Sequence, residues 1–197
     1  MQRRGKLRIG LALAVALALT GCASSNTPQT YDLTAPSNFP TRPGAQRGQL
    51  IVAEPKAIAN IDTERMAVRN AAGAVSYLSD GAWADRLPRL LQAQIIRTFE
   101  NASHLRSIGR PGDRLTADFQ LLTEIRSFEV VVGAGAEAVV ELSVKLVNDR
   151  TGRILAGQVF SGRAPVGSVD AASVAAAFDR AAQDVLRSIV VWASGRV

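Results

Sequence analysis

A single cysteine near the amino terminus is the residue with the clearest potential for chemistry. Cys22 directly follows Leu19, Thr20 and Gly21, so an aliphatic residue, a small residue and a glycine precede it. This spacing resembles the bacterial lipobox, in which the cysteine sulfur takes up a diacylglycerol and the chain is cut before the cysteine. We therefore predict cleavage between Gly21 and Cys22, lipid attachment at Cys22, and acylation of the new amino group by a fatty acid such as palmitate.

The residues before the cysteine have the features of an export signal. Four basic side chains are followed by an unbroken apolar run over residues 9–19. The basic residues are Arg3, Arg4, Lys6 and Arg8. About 11 residues at ~1.5 Å each reach only about half of the ~30 Å hydrocarbon layer, so the run is too short for a permanent span. Residues 1–21 are therefore predicted to be a lipoprotein signal peptide.

The alternative for Cys22 is an ordinary small apolar side chain beside a conventional cleavage site. The chain has one cysteine, and it stands at the cleavage position, which favours lipidation. Two or three acyl chains hold a protein at a membrane far longer than one chain does. By resemblance to the known sorting rule, Ala23 permits transfer to the outer membrane, with the protein facing the periplasm.

The charge balance of the chain argues against nucleic acid as a partner. The chain has 23 Lys and Arg against 17 Asp and Glu, but four basic residues and no acids lie in the signal peptide, which leaves 19 against 17. This near balance, without basic clusters interleaved with aromatic residues, predicts no nucleic-acid binding. With its one cysteine assigned to lipid, the chain is also predicted to have no internal disulfide.

Residues 22–48 are predicted to be the lipidated cysteine and a flexible tether. The segment is rich in polar residues, glycine and proline, and its prolines prevent a regular helix. Three apolar residues interrupt it: Tyr31, Leu33 and Phe39. We interpret them as docking on the domain surface as a short edge strand, with a role in partner binding as the alternative.

Residues 49–197 have the length of one domain. Apolar residues recur at helical spacing from Trp83 to Phe99, with Pro88 placing the helix start or a kink near Leu87, and again from Val174 to Trp192. Asp170 is positioned to cap the second helix. Two long segments beginning at Leu115 and Val140 alternate with period two, as half-buried antiparallel strands do. The order ββ(β)αβββα predicts an α+β fold in two layers, with both helices on one face of an antiparallel sheet.

The sequence offers little material for catalysis. His104 is the one histidine, so a metal site of several histidines cannot be built, and no G-x-S-x-G motif accompanies it. Residues 133–136, Gly-Ala-Gly-Ala, precede an alternating segment and are interpreted as a hairpin turn rather than a phosphate loop. The carboxylates of Asp118, Glu124, Glu129 and Glu141 are predicted to lie on a solvated sheet face. We predict no enzyme activity, metal or cofactor.

Several segments in order resemble one protein family. They are L-I-V-A-E-P at 50–55, I-D-T-E-R-M-A-V-R at 61–69, Y-L-S-D-G-A-W-A-D-R-L at 77–87 and N-D-R-T-G-R-I-L at 148–155. Together they resemble the ABC-type transport auxiliary lipoprotein family, which includes paraquat-inducible protein C. One departure is visible: the family often has a proline-rich or aliphatic stretch before the second strand, where this chain has residues 56–60.

The resemblance implies a non-enzymatic component of a lipid-trafficking system in the bacterial cell envelope. Its expected partners are the membrane, through the lipid anchor, a protein with a mammalian-cell-entry (MCE) domain, and an ABC permease and ATPase. A homo-oligomer is also possible. Two alternatives stay open at this point: an outer-membrane lipoprotein that regulates a cell-wall synthase, and a direct lipid carrier, which would need an apolar cavity for acyl chains.

Overall fold

The computed structural model describes residues 27–40, 48–102 and 105–197. Within these ranges the chain forms eight strands and two helices. The strands are β1 (Gln29–Tyr31), β2 (Gln49–Val52), β3 (Arg65–Arg69), β4 (Val75–Trp83), β5 (Ser107–Gly109), β6 (Phe119–Val132), β7 (Ala136–Asn148) and β8 (Ile154–Pro165), and the helices are α1 (Leu87–Ala102) and α2 (Ala171–Ser194).

The long strand β6 organises the sheet. One side of β6 pairs antiparallel with β7, which in turn pairs antiparallel with β8. The other side is shared end to end by two shorter strands that both run parallel to it: β2 pairs with residues 119–121 and β3 with residues 129–131. Beyond β2 lies β5, and beyond β3 lie β4 and then β1.

The α+β class predicted from the sequence is confirmed, and β6, β7 and β8 form the expected antiparallel strands. The sheet as a whole is mixed, because β2 and β3 occupy successive halves of one side of β6 and run in its direction. Leu115 and Ala117 lie in the connection before β6 rather than in the strand, and the three-residue strand β5 was not predicted.

Both helices pack on the same face of the sheet. Helix α1 begins at Leu87, so Pro88 lies in its first turn, where the missing N–H is tolerated. Trp83, which the helical spacing included, is instead the last residue of β4. Its indole meets the ring of Phe178 from α2 edge to face at 5.5 Å, and Phe178 stacks on Phe128 of β6 at 4.6 Å. These three rings fill the centre of the core between sheet and helix.

Tight turns that contain glycine connect the antiparallel strands. In the β3–β4 turn, Gly73 has φ +83°, and the N–H of Asn70 donates to the carbonyl of Ala74 at 3.0 Å. In the β6–β7 turn, the N–H of Gly133 donates to the carbonyl of Gly135 at 2.8 Å. The glycines at 133–135 therefore form a hairpin turn, as interpreted from the sequence.

Candidate functional site

The predicted lipid attachment site lies outside the described residues, as do Gly21, Ala23 and His104. The structure does describe the chain that follows this site, from Thr27 onward. We call residues 29–39 the strap. Any force on the amino-terminal end of the chain reaches the folded domain through the strap. The contacts of the strap therefore define the candidate functional site.

The strap begins as an edge strand of the sheet. β1 pairs in parallel with β4, with Gln29 opposite Gly81 and Tyr31 opposite Trp83. Two residues later the side chain of Leu33 enters the core, and this residue is only 2% exposed. Burying a leucine side chain contributes about 1.5–3 kcal/mol. The strap is therefore part of the folded domain rather than a loosely attached extension.

Polar side chains from both helices bind the rest of the strap. The carboxylate of Asp179 on α2 accepts the backbone N–H of Thr34 at 2.7 Å and also its hydroxyl. Asn101 on α1 donates to the carbonyl of Pro36 at 2.9 Å. The guanidinium of Arg187 on α2 donates to the carbonyl of Asn38 and lies 5.2 Å from the centre of the Phe39 ring. The strap is thus held along its length by both helices.

This arrangement confirms the docking expected for Tyr31, Leu33 and Phe39. Within residues 22–48, which were predicted to be a flexible tether, the described residues 29–39 are bound to the domain. Residues 29–39 are folded because apolar burial and charged hydrogen bonds outweigh the composition that suggested flexibility. Sequence reasoning missed the residues that hold the strap, among them Asn101, Asp179 and Arg187. Each stands on the polar side of its helix, and nothing in its local sequence distinguishes it from an ordinary surface residue.

The start of α2 lies beside the start of the strap. The carboxylate of Asp80 on β4 accepts the N–H of Ala171 at 3.0 Å, and Asp170 accepts the N–H of Ser173 at 2.9 Å as the predicted cap. Hydrogen bonds from the Ser168 hydroxyl and from Ser173 lower the pKa of Asp170 from 3.8 to about 2. The carboxylate form is therefore favoured by the folded state.

The Asp170 cap predicts a specific acid sensitivity. Because its folded-state pKa is depressed, its contribution to stability is complete above pH ~4 and is lost as the pH falls towards 2. Asp170→Asn keeps one acceptor oxygen for the cap but has no carboxylate, so we expect lower stability than wild type at pH 7 and a shallower loss between pH 4 and 2. Urea unfolding followed by circular dichroism at pH 7, 4 and 2.5 measures this. An unchanged slope in acid would contradict it.

The face of the sheet opposite the helices carries three of the four carboxylates that were predicted to be solvated, and Asp118 lies in the connection just before β6. Asp118 and Glu124 are exposed, in agreement with that prediction, and Glu141 is half-buried. Glu129 is only 8% exposed and forms an ion pair of 2.7 Å with the Nε of Arg69 on the neighbouring strand β3. This hydrogen bond raises the pKa of Arg69. The correction follows from register, because β3 pairs directly with this part of β6.

The grooves on the described surface are open and of mixed polarity. One, of about 260 Å³, lies on the uncovered sheet face and includes Lys56, Glu124 and Lys145. Across residues 27–40, 48–102 and 105–197, no group of three or more potential ligands is placed to hold a metal ion. None of the helices in these ranges is both long and apolar enough to span a membrane.

Comparison with known sequences gives a curated relative and a family. The Bradyrhizobium diazoefficiens protein bll6063 is 30% identical over 174 residues, which are 88% of this chain and 47% of that protein. The chain therefore spans about half the length of this relative. The family model for the ABC-type transport auxiliary lipoprotein component matches residues 31–190, from the strap to the last turns of α2.

Solved structures share the fold. Protein XCC0632 from Xanthomonas campestris, described as belonging to family DUF330, is similar with a TM-score of 0.74 at 28% identity, covering 86% of this chain and 97% of that one. The hypothetical protein CT253 from Chlamydia trachomatis is similar in fold alone, with a TM-score of 0.56 at 12% identity over 76% of this chain and 96% of its own. From the family match over most of its length, this chain belongs to the ABC-type transport auxiliary lipoprotein component family.

Proposed function

We propose that this protein is a lipid-anchored periplasmic docking component of an ABC-type system that moves lipids between the two membranes of the envelope. In this proposal it works without catalysis of its own, beside an MCE-domain protein, a permease and an ATPase. Family membership supports the link to ABC-type transport. The lipobox supports attachment through Cys22, and Ala23 supports residence in the outer membrane.

The strap is the observation that carries the docking role. A flexible linker would be enough for an anchored protein that only needed to stay near a membrane. Residues 29–39 are instead bound by β4, α1 and α2. A chain fixed in this way holds the domain in a restricted position relative to its anchor. Restricting position raises the effective concentration of a docking surface for a membrane-bound partner without requiring strong contacts.

The filled core supports docking over direct lipid carriage. A carrier buries acyl chains in an apolar cavity. Here the space between the sheet and α2 is occupied by the stacked and edge-to-face rings of Trp83, Phe128 and Phe178. The side chains of Leu91 and Ile95 on α1 are also fully buried in the same core. The helices therefore cover the sheet with side chains packed against it.

Substitution of the cysteine tests the anchor. With Cys22→Ser we expect loss of the protein from the outer-membrane fraction and accumulation of the unlipidated precursor, because no sulfur remains to accept the diacylglycerol. Cell fractionation and intact-mass measurement detect both results. Ser25→Ala, three residues further on and outside the lipobox, serves as the matched control and should behave as wild type. Unchanged fractionation of Cys22→Ser would contradict the proposal.

Crosslinking in intact cells tests the partner. A photocrosslinking residue at an exposed position in the β7–β8 turn, such as Thr151, should capture an MCE-domain protein identified by mass spectrometry. Recovery of a cell-wall synthase instead would favour a regulatory lipoprotein and contradict the transport proposal.

A further inference from the structure

Strand β8 forms a long open edge of the sheet. Among the residues that the structure describes, β8 pairs with β7 alone, and no strand lies on its other side. The sheet also ends at β1 and β5, which have three residues each, whereas β8 has 12. Native proteins usually keep such an edge short or protect it with charged residues or proline. Residues 156–162 of β8 (Ala-Gly-Gln-Val-Phe-Ser-Gly) contain neither.

The hydrogen bonds between β7 and β8 show which backbone groups of this edge are free. The N–H of Val166 donates to the carbonyl of Ala136 at 2.9 Å, so these two residues form a hydrogen-bonded pair. In an antiparallel ladder such pairs alternate with pairs that share no hydrogen bond. The register continues without a bulge from this pair to Ala156, so every second residue of β8 directs its N–H and C=O away from β7. These outward residues are Gly157, Val159, Ser161 and Arg163.

Exposed apolar side chains accompany the free backbone groups. Three of the seven large apolar side chains that are exposed in the described part of the chain belong to β8. They are Ile154, Leu155 and Val159, at 60%, 48% and 41% exposure. A groove of about 530 Å³ also runs along this edge, between residues 158–161 of β8 and Ser188 of α2. An added strand would therefore bury apolar surface as well as form hydrogen bonds.

A second copy of β8 matches this edge. An antiparallel partner must present free N–H and C=O groups at alternate residues, and the outward residues of another molecule do so by identity. If all four outward residues of both copies pair, Val159 faces Ser161 and Gly157 faces Arg163 of the other copy. The two-fold axis then passes through Phe160. Each facing pair exchanges two backbone hydrogen bonds.

The charges along the edge are compatible with this pairing. Arg163 is the one charged residue between positions 156 and 164, and its guanidinium lies 3.3 Å from the carboxylate of Glu137 on β7. The pairing sets Arg163 opposite Gly157 of the second copy, which has no side chain. Lys145 is the neighbour of Gly157 on β7 and so lies one strand further away. Like charges therefore do not face each other directly.

The helix layer fits a second copy as well. Helix α2 contacts both β7 and β8, so it lies above the space between them. Two molecules joined at β8 would place their α2 helices two strand spacings apart, which is about 10 Å. Packed helices are usually about 8–10 Å apart. The second α2 would close the groove beside Ser188, whereas an extended segment of another protein would satisfy the β8 backbone and leave the groove open.

We propose that two copies of this protein associate by antiparallel pairing of their β8 strands, which gives one continuous sheet covered by adjoining α2 helices. The occupant of the edge is thus a second copy of the chain. The edge lies on the opposite side of the sheet from β1, where the strap enters, so pairing leaves the strap contacts intact. The inference goes beyond the proposed docking role and does not depend on the anchor at Cys22.

Thiol crosslinking in cells that make the full chain tests the interface. In the proposed register, the Ser161 side chains of the two copies are diagonal neighbours, about 7–8 Å apart. A crosslinker of that length should join Ser161→Cys into a species of twice the mass. Thr151→Cys, exposed in the β7–β8 turn, is the matched control, because the two turns would lie at opposite ends of the paired strands. We expect at least about tenfold more dimer from Ser161→Cys. Wild type, with Cys22 as its one cysteine, gives the background.

Removal of one outward N–H tests the strand pairing itself. Ser161→Pro deletes an N–H that faces solvent in the single molecule, and edge strands tolerate proline at such positions. Ser161→Thr keeps the N–H and is the matched control. Light scattering on the detergent-solubilised full chain should give the protein mass of a dimer for wild type and Ser161→Thr, and of a monomer for Ser161→Pro. If circular dichroism shows that Ser161→Pro does not fold, Val159→Lys tests the same edge by adding a charge.

Three results would overturn the inference. A monomeric wild type would show that the edge stays open. A dimer that both Ser161→Pro and Val159→Lys leave unchanged would place the contact on another surface. Crosslinking of Ser161→Cys to a different protein, in place of a second copy, would assign the edge to another chain.

Discussion

Leu33→Ala is expected to lower the free energy of unfolding by about 3 kcal/mol, within the 2–5 kcal/mol typical of leucine truncation in a core. The side chain is buried at the point where the strap passes from β1 onto the helices. Its loss leaves a cavity in the main apolar core and weakens the attachment of the adjacent residues. Urea unfolding of the mature domain, followed by circular dichroism, measures the change.

A surface leucine provides the matched control for this variant. Leu122 is 38% exposed on the uncovered face of β6, so Leu122→Ala should cost less than about 1 kcal/mol. Limited proteolysis adds a second measurement, since loosening of the strap in Leu33→Ala should make residues 29–39 accessible to cleavage while the rest of the domain stays protected. Equal stability of the two leucine variants would show that the strap adds nothing to the fold.

Phe178→Ala is expected to be more damaging, with a loss of about 4 kcal/mol. The Phe178 ring is fully buried, stacks on Phe128 at 4.6 Å with an interplanar angle of 9°, and meets Trp83 edge to face. Its truncation removes both ring contacts and opens a cavity where α2, β4 and β6 meet. For a domain of this size, such a loss lowers the melting temperature by on the order of 10 °C.

The control for Phe178 lies on the same helix. Val191 is 56% exposed, and Val191→Ala removes apolar atoms without opening a cavity, so we expect a change within about 0.5 kcal/mol. The near-ultraviolet circular dichroism, to which Trp83 contributes, should also change more in Phe178→Ala than in Val191→Ala. A stability of Phe178→Ala within 1 kcal/mol of wild type would mean that the three rings do not act as the centre of the core.

The elements with regular spacing were predictable from sequence, and those without it were not. Alternation in β7 is regular over residues 140–146, because one face of that part of the strand packs on the core and the other faces outward. The three-residue strand β5 is too short for any period to appear. The parallel pairing of β2 and β3 with β6 depends on contacts between residues distant in sequence, so local pattern could suggest strands there but not their direction.

The candidate site was predictable to a similar degree. The apolar residues Tyr31, Leu33 and Phe39 stood out against a polar background, and this contrast correctly indicated docking. Composition alone indicated flexibility around them, because proline and polar residues are equally common in tethers and in extended segments bound by side chains. The burial of Glu129 escaped prediction for the same reason as the sheet order, since its partner Arg69 is 60 residues away in sequence.

The parallel pairing of β1 with β4 also determines how the domain resists mechanical force. A pulling force on the amino-terminal end of the strap, directed outward from Gln29, acts along the axis of β1. The hydrogen bonds that pair β1 with β4 resist this force. That geometry is shear, in which several hydrogen bonds and the buried Leu33 side chain bear the load together instead of breaking one after another. Force applied at that end of the chain would therefore be transmitted to the sheet and both helices as to one rigid body.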